Sequence, residues 1–289
     1  MADSRGNFVI SFILTQGYQL TVLEVIWTIG CSMILLAGLV WLPRWIQIIL
    51  SLAMIAGHDA LPFITNVSAN NMLPAFLHNM PFFITHPPVL VAYTIVPWVG
   101  VMLLGYAMGP WFSYPPQTRD KLLLRSGALA LIIFAVLRFL NIYGDPSPWS
   151  IQDRGNMYTF LSFLNVSKSP PSLLFLSVTL GMACILLVLL NKISSGLKQI
   201  FVTYGRVPFF FFIIHLAVIS FSAWVWTHIS FGKGVDLCFA NPKNWPVSYQ
   251  PSLARAYFVW ILLISILYFP CRCYGKYKAK SKAWWVGYL

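Results

Sequence analysis

The chain has 289 residues, 58% of them apolar and only 9% charged. Soluble domains carry roughly 25% charged residues, so this composition excludes a soluble enzyme, a disulfide-stapled secreted domain and a disordered chain. The net charge of +12 would suit nucleic acid, but nucleic-acid binding would leave the hydropathy unexplained and is also excluded.

Taken in chain order, a first apolar stretch at 7–19 is too short to span a bilayer. Seven longer runs follow, at about 20–42, 45–63, 89–109, 122–142, 172–191, 207–230 and 255–271. Each approaches the ~20 residues that a spanning helix needs. The expected fold is therefore all-α: a polytopic integral membrane helix bundle of about seven transmembrane helices, one transmembrane domain over 1–289. The connection Trp41-Leu-Pro-Arg44 is tight and predicts that the first two helices are antiparallel neighbours. Pro97 falls inside the third run and predicts a kink there. Gly105 and Gly109 have the spacing that permits close helix approach. Longer loops fall at 64–88, 143–171 and 231–254, shorter ones at 110–121 and 192–206.

The Lys/Arg count sets the orientation. One side of the membrane receives Arg44, Arg119, Lys121, Arg125, Lys192, Lys198, Arg206 and the tail residues Arg272, Lys276, Lys278, Lys280 and Lys282, twelve in all. The other receives seven. By the positive-inside bias the twelve-residue side is cytoplasmic, so the C-terminus is cytoplasmic and 272–289 forms a basic tail that meets anionic lipid. Trp41, Trp45, Trp111, Tyr114, Trp149, Trp284 and Trp285 sit at run ends, as an interfacial aromatic belt does. The five cysteines show no metal or disulfide framework, and no metal is expected.

Ionisable side chains inside spans are costly and usually face a cavity or a partner. Glu24, His58, Asp59, Arg138 with Asn141, and Lys168 fall in the outer half, and Asp145 follows in the next loop. His215 lies two turns into the sixth run from the cytoplasmic side. Glu24 could simply pair with a basic group in the bundle, Arg138 with Asp145 across a tight turn, Asp59 could snorkel to the interface or cap the turn before Pro62, and His215 reads as a satisfied core histidine. His58 and Asp59 are not a dyad by sequence, because helix neighbours point ~100° apart. His78 and His86 read as solvated loop residues. Gly144-Asp145-Pro146 is turn chemistry. Pro170-Pro171-Ser172 suits a helix start, whose first-turn amides would form an anion-favouring site beside Lys168.

The segments LRFLNIYGDPSPW (137–149) and SFLNVSKSPPSLLFLSVTLG (162–181) carry a resemblance. Together with LEVIWTIGCSMILLAGL (23–39), LPRW (42–45), IAGHD (55–59), VPWVGVMLLGYAMG (96–109), YGRVPFFFFIIHL (204–216) and WWVGYL (284–289), they resemble a bacterial membrane-protein family. That family is similar to the catalytic domain of heparan-alpha-glucosaminide N-acetyltransferase. Relatives commonly have Tyr at position 169. The resemblance implies a multi-pass acyltransferase of a bacterial inner membrane. It would take an acetyl or acyl group from acetyl-CoA or another acyl-CoA and pass it across the membrane to an amino sugar or glycan. Under it Arg138, Asn141, Asp145, Asn165 and Lys168 are substrate-binding candidates. Arg206 and His215 line the acyl-donor side. His58 and Asp59 are weak catalytic candidates.

Family members open with an Asp-x-x-Arg-Gly element and an Asp-His helix, where the characterised relative has its catalytic histidine. This chain has neither, so no catalytic histidine is carried over, and 1–19 reads as the remnant of a longer N-terminal region in a shortened, inactive protein or one with a misplaced start. A membrane transporter or a non-catalytic accessory subunit is the alternative class. The acceptor, the donor and the oligomeric state, a homo-oligomer included, stay open.

Overall fold

The computed structural model describes residues 21–23, 25–61, 82–85, 88–91, 93–193, 195–232, 234–235, 246, 248–283 and 286. Glu24, His78, His86, Trp284 and Trp285 lie outside the described residues. The chain divides into two units, Gln19–Lys192 and a C-terminal unit containing Ile193–Leu289. The architecture is helical, as the hydropathy requires, with one small sheet added.

In the first unit, β1 (Thr21–Leu23) leads into α1 (Val25–Leu39), and α2 (Arg44–Gly57) follows and ends in a 3-10 turn at His58–Ala60. Then come β2 (Phe82–Thr85), β3 (Pro88–Val91), α3 (Val96–Met108), α4 (Pro116–Leu140), α5 (Asn156–Leu164) and α6 (Leu173–Lys192). Strand β3 is central: β1 runs parallel to it, Thr21 beside Val89, and β2 antiparallel, Thr85 beside Pro88. The apolar runs expected at 20–42 and 89–109 are thus each shared between a strand and a helix. Hydropathy alone does not distinguish the two, because both bury apolar residues. The consequence is length. α1, α2 and α3 have 15, 14 and 13 residues, short of the ~20 needed to cross.

Four helices are long and apolar enough to cross a membrane: α4, α6, α8 (Pro208–Phe231) and α9 (Leu253–Lys280). These four, among the described residues, make the chain fit an integral membrane protein. Pro97 sits in the first turn of α3, where its missing N–H costs nothing, so the expected kink is absent. Pro270 instead lies inside α9, which runs on nine residues past the expected end at 271.

Packing also departs from the tight-turn expectation. Gln47 Nε2 donates to the carbonyls of Val40 (3.1 Å) and Leu42 (2.9 Å) and so closes the turn. Yet α1 and α2 both pack on α3 rather than along each other. Thr28 donates to the Tyr93 carbonyl (3.2 Å), and Arg44 Nε donates to the Ala107 carbonyl (3.0 Å), near the end of α3. The close glycines are not Gly105 and Gly109, beside which a Cβ would meet nothing within 4 Å. Gly100 of α3 is close to α2, where a Cβ would lie 2.9 Å from Met54 Cβ, and Gly127 in α4 is close to Gly181 in α6. A Cβ on Gly127 would lie 2.8 Å from the Gly181 carbonyl oxygen, and one on Gly181 would lie 3.0 Å from that of Gly127. These two backbones approach as small residues allow in a membrane.

In the C-terminal unit, α7 (Ser195–Arg206) precedes α8. The Tyr204 hydroxyl donates to the Ile264 carbonyl of α9. Phe210 stacks on Tyr274 at 4.2 Å, and Val207 and Cys271 are fully buried. At the other end Arg255 sits over the rings of Trp226 (4.7 Å) and Tyr249 (5.2 Å).

Candidate functional site

The site starts at the end of α4. Asn141 takes the left-handed conformation (φ 52°) that ends the helix. One turn earlier Arg138 points inward and is 2% exposed. A guanidinium cannot be deprotonated, so its buried donors need acceptors. It finds four carbonyls. Nε donates to Phe163 (2.9 Å), Nη1 to Ser147 (2.7 Å), and Nη2 to Ser162 (2.9 Å) and Asn165 (2.5 Å). Three of these close the C-terminal end of α5, where helix carbonyls lack partners and a cation is favoured.

The balancing charge is Asp145, whose Oδ1 lies 3.9 Å from Arg138 Nη1, with both side chains buried. Its carboxylate accepts from the Ser147 N–H (2.9 Å), the Ser167 N–H (2.7 Å) and hydroxyl (3.2 Å), and the Ser172 hydroxyl (2.7 Å). Ser172 in turn accepts from the Phe175 N–H (3.0 Å) at the start of α6.

The remaining first-turn amides of α6 are also filled. The Leu173 N–H donates to Asp59 Oδ2 (2.9 Å), and the Leu174 N–H donates to the Gly144 carbonyl (2.9 Å). Gly144 is held at φ 95°, where a Cβ would come within 3.3 Å of Leu174 Cγ. The anion-favouring helix start expected beside Lys168 is therefore occupied by the chain's own carboxylates and oxygens. Lys168 is exposed, and its backbone pairs with Pro171.

His58 and Asp59 do meet, with Nε2 3.3 Å from Oδ1. The two residues open the 3-10 turn that ends α2, and their contact runs against the sequence expectation. His58 Nε2 also faces the Pro171 carbonyl (2.6 Å), while Nδ1 faces those of Ile55 (2.8 Å) and Met54 (3.2 Å). Carbonyls only accept, so a ring N–H on either nitrogen has an acceptor within reach. As a base, Nε2 would first have to leave Pro171.

The structure thus brings together His58, Asp59, Arg138 and Asp145 at the first turn of α6. Asn141 lies at the rim, where its side chain pairs both ways with the Trp149 backbone, donating at 3.0 Å and accepting at 3.1 Å. Asn165 contributes its carbonyl, and its side chain is exposed. A cavity of about 190 Å³ opens here, lined in part by Leu137, Arg138, Asn141, Tyr143 and Asp145. Arg206 and His215 belong to the C-terminal unit. Arg206 is exposed at the end of α7. His215 donates Nδ1–H to the Phe211 carbonyl (3.1 Å) and stacks on that ring.

Sequence reasoning missed Tyr143, Ser167 and Ser172 as members. The Tyr143 hydroxyl donates to the Ala56 carbonyl (2.5 Å), and its burial, with Asp59 nearby, pushes the phenol above its ordinary pKa. The signal was present, since all three stand inside the two quoted segments.

Residues 8–143 match the sequence model of the family described as heparan-alpha-glucosaminide N-acetyltransferase, catalytic. The chain resembles that catalytic domain. The match takes in His58, Asp59, Arg138 and Asn141 and ends two residues before Asp145. The resemblance at 162–181, 204–216 and 284–289 rests on the motifs alone. No curated protein matches the chain, and no solved structure does.

Proposed function

We propose that the chain is a multi-pass membrane acyltransferase that moves an acetyl or other acyl group from an acyl-CoA to the amine or hydroxyl of an amino sugar or glycan. The observation that carries this is the family match over 8–143, which ends on the polar knot. In this reading the acceptor binds at the outer rim. Arg138, Asn141 and Asp145 fix that rim through the contacts described above. The exposed side chains of Asn165 and Lys168 are left to meet the acceptor. Arg206 would meet a donor phosphate from the cytoplasmic side, with His215 along the approach. Chemically, the acceptor's lone pair attacks the thioester carbonyl, the C–S bond breaks, and CoA leaves as the thiol. A base must take the acceptor proton. His58 and Asp59 are the candidates in this chain, after Nε2 gives up Pro171. The Lys/Arg bias supports a cytoplasmic C-terminus, and the resemblance implies a bacterial plasma membrane.

The test is acyl transfer by the full chain in lipid nanodiscs, with labelled acetyl-CoA and a glucosaminide. Labelled acceptor and equimolar free CoA are expected. CoA release without labelled acceptor, or neither product, would refute the reading. Uptake of glucosaminide into vesicles without any acyl-CoA would favour the transporter class instead.

A further inference from the structure

The short helix α7 joins two spans and has no role in the polar knot. Its residues Leu197, Ile200, Phe201 and Tyr204 recur at the spacing of one helix face. Tyr204 is held on α9, through its hydroxyl to Ile264 and its ring against Tyr268 (6.3 Å), and it also meets Phe211 of α8 (5.2 Å). The other three are uncovered: Leu197 is 54% exposed, Ile200 38% and Phe201 54%. Lys198, Gln199 and Arg206 occupy the remaining faces and are exposed.

Two constraints say what covers that stripe. The first is reach. Val207 alone separates α7 from α8, a helix long enough to cross a membrane. On the other side the sequence leaves two residues between Lys192, the end of another such helix, and Ser195. Two residues span at most about 7 Å. Both ends of α7 are therefore tied to the boundary of the hydrocarbon, and its ~18 Å length must lie along that boundary. The second is charge. The same end of the unit carries Arg272, Lys276 and Lys280, exposed on the last turns of α9. From residue 193 onward the sequence has one acid, Asp236, which falls between α8 and α9.

We propose that α7 is an in-plane interfacial helix whose partner is an anionic phospholipid leaflet. Leu197, Ile200 and Phe201 enter the acyl boundary, while Lys198 and Arg206 lie at the level of the lipid phosphates. The inference rests on the membrane reading of α8 and is independent of acyl transfer.

The test places a photo-crosslinking benzoylphenylalanine at single positions of the full chain in vesicles rich in phosphatidylglycerol. Position 201, with 197 as a second site, is expected to give phospholipid adducts several-fold above position 199. The yield at 201 should fall in vesicles of phosphatidylcholine alone, and Lys198→Glu should lower it in the anionic vesicles. Adducts from 201 and 197 to another protein segment would overturn the proposal, as would yields equal to that at 199 or yields indifferent to lipid charge. A probe at Ile213, on an exposed face of α8, separates the two failures. Lipid adducts at 213 without any at 201 reject the in-plane helix alone, and none at 213 rejects the membrane reading beneath it.

Discussion

Arg138 shows how a charged side chain becomes tolerable at the end of a spanning helix. Its planar fork reaches four carbonyls at once, which a lysine's three donors on a flexible stem would not reproduce. Removing one partner of such a buried pair costs about 3–5 kcal/mol, because the other charge is left uncompensated. Arg138→Met is expected to lose about that much, and Arg138→Lys to recover only part of it, measured by thermal unfolding of the purified chain in detergent. Asp145→Asn should also destabilise, since an amide nitrogen would face N–H donors. If the two residues act as one unit, the double variant Arg138→Met with Asp145→Asn loses less than the sum of the singles, by about 0.5–3 kcal/mol. Strict additivity would mean that the 3.9 Å approach carries no coupling. The sequence made this place legible, because Arg138, Asn141 and Asp145 follow one another at spacings of three and four residues. It did not make the partners legible. Those are backbone carbonyls 9 to 27 residues away, and a carbonyl has no residue type to read.

Among the elements, the contrast between glycines gives a sharp expectation. The Gly105 and Gly109 spacing resembles a packing motif, yet a Cβ on either would meet nothing within 4 Å. Gly127 and Gly181 belong to no such motif, yet their backbones touch. Gly127→Ala must push α4 from α6 and should cost about 1–3 kcal/mol as overpacking does. Gly105→Ala should be neutral or stabilising by up to about 1 kcal/mol, from reduced backbone freedom. Thermal melts of the two variants beside the parent chain decide it, and equal losses would refute the seam. All seven apolar runs contain a helix, so the elements were largely legible. Their ends were not. At 21–23 and 88–91 strand pairing takes residues that periodicity would give to a helix, and pairing between segments nearly 70 residues apart leaves no local pattern. The helices α5 and α7 fell in stretches expected to be loops, α5 because Arg138 closes its carbonyl end.

At the scale of the molecule, composition alone excluded every soluble class, and the four long helices agree with that exclusion. An alkaline carbonate wash should leave the chain in the membrane pellet, and its release would contradict the integral reading. The Lys/Arg count predicts in addition that a tag after Leu289 is protected from protease in intact cells and cleaved in inverted vesicles. Cleavage in intact cells would reverse the orientation. α9 gives this tail a physical form. Its 28 residues extend about 42 Å, more than the ~30 Å hydrocarbon core, so the basic turns continue as helix beyond the lipid.

The crowded first turn of α6 has a consequence for folding. The amides of Leu173, Leu174 and Phe175 are held by Asp59, Gly144 and Ser172, which come from the end of α2, the stretch after α4 and the start of α6 itself. The first two of these protections cannot form before distant segments have met, and Ser172 is itself held by Asp145 from 27 residues away. Hydrogen exchange at the three amides should therefore be slow and nearly synchronous, reporting the opening of one cooperative block rather than the fraying of a helix end. In Asp145→Asn the three should speed up together, Leu173 included, although its own acceptor is untouched.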